Sequence, residues 1–185
     1  MNLGIKVELF HESHGGFALR EKLARDYHWG RLMVEQIPPE LQASQWFNQD
    51  QPLSLAGLRG KVVVLHAFQM LCPGCVSHGV PQAERVHKLF PRDKVQVIGL
   101  HTVFEHHAVM TPSALAVFLH EYRVTHPVAV DQAVAGQQIP ATMQAYNMQG
   151  TPTLVLIGRE GRLAMQQFGI VDDMRLGALI GQLLE

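Results

Sequence analysis

The chain is nearly without cysteine. Cys72 and Cys75 are the only two in 185 residues. That excludes a scaffold held by a disulfide framework and a structural zinc site built on four thiolates. Neither is needed, since a chain of this length buries a core of its own. Charge is also sparse, at 17% of residues, with a formal net charge of -1 and no basic cluster. Nothing in that balance points to nucleic acid or to an anionic membrane surface. No apolar run approaches the roughly twenty residues that a membrane-spanning helix requires. The N-terminal stretch MNLGIKVELFHESHGG lacks a basic segment followed by a long apolar core, so no secretory signal is expected and the expected location is cytoplasmic. There, thiols tend to stay reduced, and a closely spaced pair leans toward catalysis or metal binding. Repeats and low-complexity tracts are absent.

Hydrophobic residues make up 47% of the chain, an ordinary globular composition. Residues 1–36 read as an N-terminal arm with a short helix in FALREKLARDYHWG, and residues 37–185 as one domain. SQWFNQDQPLSL reads as a strand, a turn and a short second strand, an N-terminal hairpin. KVVVLHAF and KVQVIGLH are β-branched apolar runs that predict buried strands. Between them, the cysteine segment opens a helix with an apolar stripe at Val76, Val80, Ala83, Val86 and Phe90, and Pro81 is expected to kink it. Thr111 caps a further helix with Pro112 at its first position, its stripe formed by Leu115, Phe118, Leu119 and Tyr122. HPVAVD is a short strand, IPATMQAYNM a short helix or irregular turn, and residues 151–169 a hairpin turning at Arg159 to Gly161. A last helix starts at Asp172. Strand–helix alternation followed by a hairpin and a closing helix predicts an α/β fold, a mixed sheet covered by helices on both faces.

Cys72 and Cys75 lie three residues apart in the first turn of a helix, on one side of it, close enough for a disulfide. Cys72 falls at the helix N-terminus, where unpaired N–H groups favour a thiolate. Pro73 suits the first helical position because it has no N–H to leave unpaired. This arrangement implies that Cys72 attacks a disulfide or another electrophile and that the more buried Cys75 resolves the product into an intramolecular disulfide. His78 extends the string to C-x2-C-x2-H, so a metal site completed by histidine is the alternative. The paired histidines in HESH and FEHH carry no metal assignment.

A strand, a CxxC pair opening a kinked helix, and GTP before another strand together resemble the thioredoxin fold. PLSLAGLRGKVVVLHAF before the cysteines resembles its redoxin branch, which covers reductases of the cytochrome-maturation type and peroxiredoxins related to alkyl hydroperoxide reductase. KVQVIGLH through FLHEYRVTHPVAVDQ resembles the strand-helix insertion of those proteins. The resemblance spans about residues 38–185. It implies Cys72 as attacking and Cys75 as resolving cysteine, with Thr151 and Pro152 as a cis-proline site facing them. His66, six residues before Cys72, stands where thioredoxins carry a buried acid that accepts the resolving cysteine's proton; a core histidine on the strand is the alternative reading. Glu105 falls where some relatives place an active-site acid, but reads first as a solvated loop glutamate. The chain departs from the pattern in its Pro73-Gly74 dipeptide, in Leu71 where an aromatic is usual, and in a helix proline one residue late. Gln69 and Leu65 replace the Thr and Pro with which peroxiredoxins activate peroxide.

The implied activity is thiol–disulfide exchange with no prosthetic group, recharged by a thiol electron donor, on a protein disulfide or a small thiol substrate. A peroxiredoxin-like peroxidase acting as an antioxidant, and a metal-binding carrier, are the rival expectations.

Overall fold

The computed structural model describes residues 36–185, and the helix expected in residues 17–30 lies outside them. Six strands and four helices follow in order: β1 (Ala43–Phe47), β2 (Val62–Phe68), a π-helical turn (Cys75–Gly79) running into α1 (Val80–Leu89), β3 (Val95–His101), α2 (Pro112–Glu121), β4 (Val128–Asp131), α3 (Ala141–Ala145), β5 (Thr153–Ile157), β6 (Leu163–Phe168) and α4 (Asp173–Leu184). The strands form one sheet in the order β1-β4-β3-β2-β5-β6. The pairs β2–β3 and β3–β4 are parallel, and the other three are antiparallel.

β2 is central, and all seven of its residues are buried. Its β-branched run suits a strand with both faces covered. Alternate side chains enter different cores, as the pleat dictates. Val62 and Val64 join Val95, Val97, Leu154 and Leu156 beneath α1 and α4. Val63, Leu65 and Ala67 join Ile98, Leu100 and Val155 beneath Leu55, Leu58 and the Met143 of α3. A third cluster packs Phe68, Cys75 and Val80 against Leu115 and Leu119 of α2.

The expected caps are present. The Thr111 hydroxyl accepts the Ala114 N–H, and Asp172 accepts those of Met174 and Arg175. The turn after β5 places Gly161 at φ +71°, a conformation that favours glycine.

Two expectations are corrected. Residues 52–55 form no second strand, so there is no N-terminal hairpin; β1 pairs instead with β4, Phe47 opposite Val128. The physical reason lies in local hydrogen bonds. Asn48, at φ 57°, donates its amide to the carbonyls of Val124 and His126. Glu40 takes the N–H groups of Leu55 and Ala56 at 2.7 Å each, so those donors cannot serve a ladder. The helix irregularity at Pro81 is a π-helical turn just before it. The preceding turn widens to π geometry, with the Val80 N–H reaching Cys75, and Pro81 begins the regular helix, where its missing N–H costs little. Tyr122 is exposed at 51%, though its ring stacks on Phe118 at 4.3 Å.

The face beneath α1 is apolar except for a row of buried histidines. His126 is fixed through its Nδ1, 2.9 Å from Glu84 of α1. Glu84 also accepts the N–H and hydroxyl of Thr125. Burial opposes ionisation of Glu84, but the His126 and Thr125 hydrogen bonds outweigh it and hold the carboxyl well below the usual range. His101 is 1% exposed, and burial lowers its pKa to about 4. His87 is lowered as well, chiefly by burial.

Two stability predictions follow from this face. Glu84→Ala strands the Thr125 and His126 donors, and the unfolding free energy measured in urea should fall by about 3 kcal/mol. Histidines with folded pKa values below 6.5 take up protons preferentially in the unfolded chain. Stability should therefore decline as pH drops from about 6.5 toward 5, a window above ordinary carboxylate titration. Urea midpoints across that range should fall for the wild type and fall less for His101→Leu; equal slopes would remove His101 from the account.

Candidate functional site

The cysteines stand where β2 ends and its chain turns into a helix. Gln69 is 1% exposed and holds this turn: its carbonyl accepts the Cys72 N–H at 3.3 Å. The turn is tied to β3 by the Thr102 N–H donating to Phe68. Helical backbone begins at Pro73, which leaves Cys72 at the capping position. There its sulfur does what a serine or aspartate oxygen does at other helices: it accepts the Cys75 N–H, at 3.2 Å. The Cys72 carbonyl meanwhile accepts the Val76 N–H.

The two thiols have different surroundings. Cys72 is half-buried and Cys75 is fully buried, and both are free thiols. Burial, and then the hydrogen bond with Cys72, push the Cys75 thiol up to about 12. The only route outward for chemistry is therefore through Cys72.

The loop before β5 faces them. The Thr151–Pro152 bond is cis, as the resemblance implies. The Cys72 thiol lies 3.5 Å from the Thr151 carbonyl, which accepts from it. Gly74 sits against the Pro152 ring, where an added Cβ would lie 3.4 Å from its Cδ. Cys72, Cys75, Thr151 and Pro152 are thus brought together.

His66 and Glu105 occupy different surroundings. His66 is 2% exposed, stacks near Phe68 and has no hydrogen-bond partner for either ring nitrogen among the described residues. Burial, and secondarily His126, lower its pKa to about 3, so the ring is neutral. It lies under the π turn that starts at Cys75, and a Cβ on Gly79 would come within 2.0 Å of its Nε2. Gly79 is therefore a close-approach glycine that gives the imidazole its space. Glu105 is exposed, and its carboxylate reaches the Gln69 amide at 3.4 Å, not a cysteine. Gln69 in turn accepts the Phe104 N–H, so it pins the loop after β3 to the turn before Cys72. Sequence reasoning missed that role for Gln69 and the spacing role of Gly79. A glycine four residues beyond the second cysteine, inside a helix, was the available signal for the latter.

Other candidates do not converge here. His78 bonds to the Ser77 hydroxyl, and no group of three or more His, Cys, Asp or Glu gathers as a metal site among the described residues. His106 takes φ 53° in an exposed loop, and HESH lies outside the described residues. The largest cavity described, about 820 Å³, is lined by Gly60, Arg159, Arg162 and Leu183 and shares no residue with the cysteine turn.

The chain is similar to several known proteins. A crystal structure of a thiol-disulfide isomerase from Corynebacterium glutamicum is 54% identical, with TM-score 0.79, covering 82% of this chain and 99% of that one. A thioredoxin-like superfamily protein of solved structure is 58% identical, with TM-score 0.77, covering 79% and 94%. Both support the thioredoxin-like α/β fold. Among curated proteins, NHL repeat-containing protein 2 of Gallus gallus is 32% identical over 136 residues, 71% of this chain. Protein DipZ of Mycobacterium tuberculosis is 27% identical over 149 residues, 79% of this chain. The chain spans no more than about a fifth of the length of these curated relatives. The Redoxin family model matches residues 35–174, and the chain belongs to that family.

Proposed function

We propose that the protein is a thiol–disulfide oxidoreductase working through Cys72 and Cys75. The observation that carries this reading is the asymmetric pair itself: a half-exposed sulfur at a helix N-terminus beside a cis-proline, with a second thiol buried one turn behind it. The 54% identical thiol-disulfide isomerase supports it.

In the reduced protein, Cys72 as thiolate attacks one sulfur of a substrate disulfide. A Cys72–substrate bond forms, the substrate S–S bond breaks, and the departing thiolate takes a proton. Cys75 then loses its proton and attacks the Cys72 sulfur. The second substrate thiol is released, and two electrons have passed from the protein dithiol to the substrate. A thiol donor restores the dithiol.

Magnitudes decide where the Cys75 proton goes. Its thiol is near 12 and the His66 imidazole near 3. Burial holds the thiol high and the imidazole low, so transfer between them in the reduced protein is strongly uphill. A departing substrate thiolate, with an ordinary pKa of about 8.5, is a far better acceptor. His66 then serves as a neutral ring that shapes the underside of the helix. Glu105, exposed and bonded to Gln69, acts on the turn and not on the thiols.

The peroxidase reading has no comparable support. Gln69, standing where a peroxide-activating threonine would be, turns its amide to Phe104 and Glu105.

Cys72→Ser should reduce disulfide exchange by more than about a thousandfold, because no other exposed thiol exists. Cys75→Ser should accumulate a stoichiometric mixed disulfide, read by mass spectrometry. Stopped-flow mixing of the reduced protein with a model protein disulfide should be fast and mixing with hydrogen peroxide slow. The reverse order would replace exchange by peroxidase chemistry.

A further inference from the structure

The sequence holds no run of basic residues, but the fold assembles one. Six of the ten lysines and arginines in residues 36–185 are Arg59, Lys61, Arg92, Lys94, Arg159 and Arg162. All flank strands at one end of the sheet. β2 and β3 are parallel and both start there, and β5 runs against β2 and so finishes there. Lys61 and Lys94 each stand one residue before a strand, and the register that sets Val62 opposite Val95 makes them neighbours. The Gly60 N–H donates to the Arg159 carbonyl at 2.7 Å, which brings the end of β5 alongside. The Gly158 N–H donates to the Arg162 carbonyl at 2.9 Å, which adds the start of β6. Lys94, Lys61, Arg159 and Arg162 thus mark the ends of four adjacent strands, a row about 15 Å long at the usual strand spacing. The Arg59 guanidinium lies against Gly161, in the turn that carries the last two.

Most of this charge is uncompensated. Arg85 and Lys88 of α1 meet Asp173 and Glu84, and Arg162 has Glu160 at 3.9 Å. Arg59, Lys61, Arg92, Lys94 and Arg159 form no ion pair among the described residues. Two of them are held by carbonyls instead. Lys61 Nζ donates to Arg92 at 2.9 Å, and Arg159 donates to Gly60 and Leu184 at 3.3 Å each. A carbonyl fixes the position of a cation and leaves its charge in place. The acids among these stretches are fewer, namely Asp93, Glu160 and Glu185. Glu40 is committed to the N–H groups of Leu55 and Ala56. Gathering like charges costs self-repulsion, which an anionic partner relieves.

We propose that this row binds an acidic polypeptide segment that also carries an apolar side chain. An extended chain of about four or five residues spans the row. Arg159 lines the cavity of about 820 Å³ as well, and Leu163, Ala164 and Leu183 are among its walls. Glu160 and Glu185 line it too, so the cavity suits the apolar side chain and the row suits the carboxylates. A flat bilayer surface does not enter such a cavity. No exposed aromatic residue stands in the row for nucleic-acid bases to stack on. Cys72 lies beyond the far end of β2, roughly 20 Å away, so a bound segment leaves the sulfur free. The row serves attachment, and it does not depend on the exchange reading.

The test is fluorescence anisotropy of the reduced, full-length protein with a labelled peptide, Glu-Glu-Leu-Glu-Glu, and with the same peptide carrying Gln in place of Glu. The Glu peptide should bind at least about tenfold tighter, and raising salt from about 0.05 to 0.5 M should remove most of the difference. Lys61→Glu and Lys94→Glu, each checked for an unchanged thermal midpoint, should each weaken Glu-peptide binding at least about fivefold. Lys94 is exposed and its side chain has no hydrogen-bond partner among the described residues, so Lys94→Glu keeps the test available if Lys61→Glu does not fold. Cys72-dependent exchange with a model protein disulfide should be unchanged in both. Equal affinity for the two peptides, or Glu-peptide binding untouched by Lys94→Glu, would overturn the inference. Lys94-dependent binding to phosphatidylglycerol vesicles or to poly(U), with none to the peptide, would assign the row to a membrane or a nucleic acid and overturn it as well. Peptide binding without any exchange activity would support the inference and overturn the exchange reading alone.

Discussion

The backbone N–H of Cys75 points at the sulfur of Cys72 from 3.2 Å, and the rest of the site is arranged around that contact. A helix must find acceptors for its first N–H groups. Here a sulfur fills the place usually taken by an oxygen, so the reactive atom is held by the same demand that starts the helix. The sulfur can stand there only because β2 stops at Phe68 and the chain turns within four residues. Gln69 fixes that turn through its carbonyl, and its side chain brings in the loop after β3. Sheet, turn and helix therefore converge on one atom, and the Thr151 carbonyl approaches it from the opposite side.

The histidines beneath α1 are a second constraint. Burying an imidazole without partners disfavours its charged form. His66 and His101 accept that state, while His126 finds Glu84. Glycines are matched to this row. Gly79 clears space for His66, and a Cβ on Gly99 would lie 3.2 Å from both the His126 ring and the Phe68 ring. The π turn at Cys75–Gly79 sets Gly79 over His66 and lets Pro81 begin the regular helix. Helix geometry, glycine placement and histidine neutrality therefore depend on one another.

Much of this was legible in the sequence where one pattern dominated. The runs VVVLHAF and VQVIGLH admit few readings besides buried strands, and Thr111-Pro112 and Asp172 announce helix starts through capping chemistry alone. The CxxC pair and the proline after Thr151 carried the site. The failures came where a side chain outbid the backbone. Glu40 captures two N–H groups that would otherwise extend a strand, and it acts across fifteen residues, beyond any local pattern. His66 illustrates another limit. Its position suggested a proton acceptor, but whether an imidazole is basic depends on burial and partners that only the folded chain supplies. Glu105 was placed in the right loop, yet its carboxylate turns to Gln69 because that amide is the donor within reach.

On the proposed exchange reading, the unequal thiols also impose an order on the chemistry. In the reduced protein Cys75 is held protonated, first by burial and then by its hydrogen bond with Cys72. It is therefore a poor nucleophile while Cys72 is free. Once Cys72 has joined a substrate sulfur, that second contribution is gone, and the Cys75 thiol lies one helical turn from the bond it must break. Substrate capture thus removes part of what restrains the resolving thiol. The burial that remains keeps water and competing electrophiles from reaching Cys75 first. A pair in which both thiols were exposed would lose this sequence, since either could be captured.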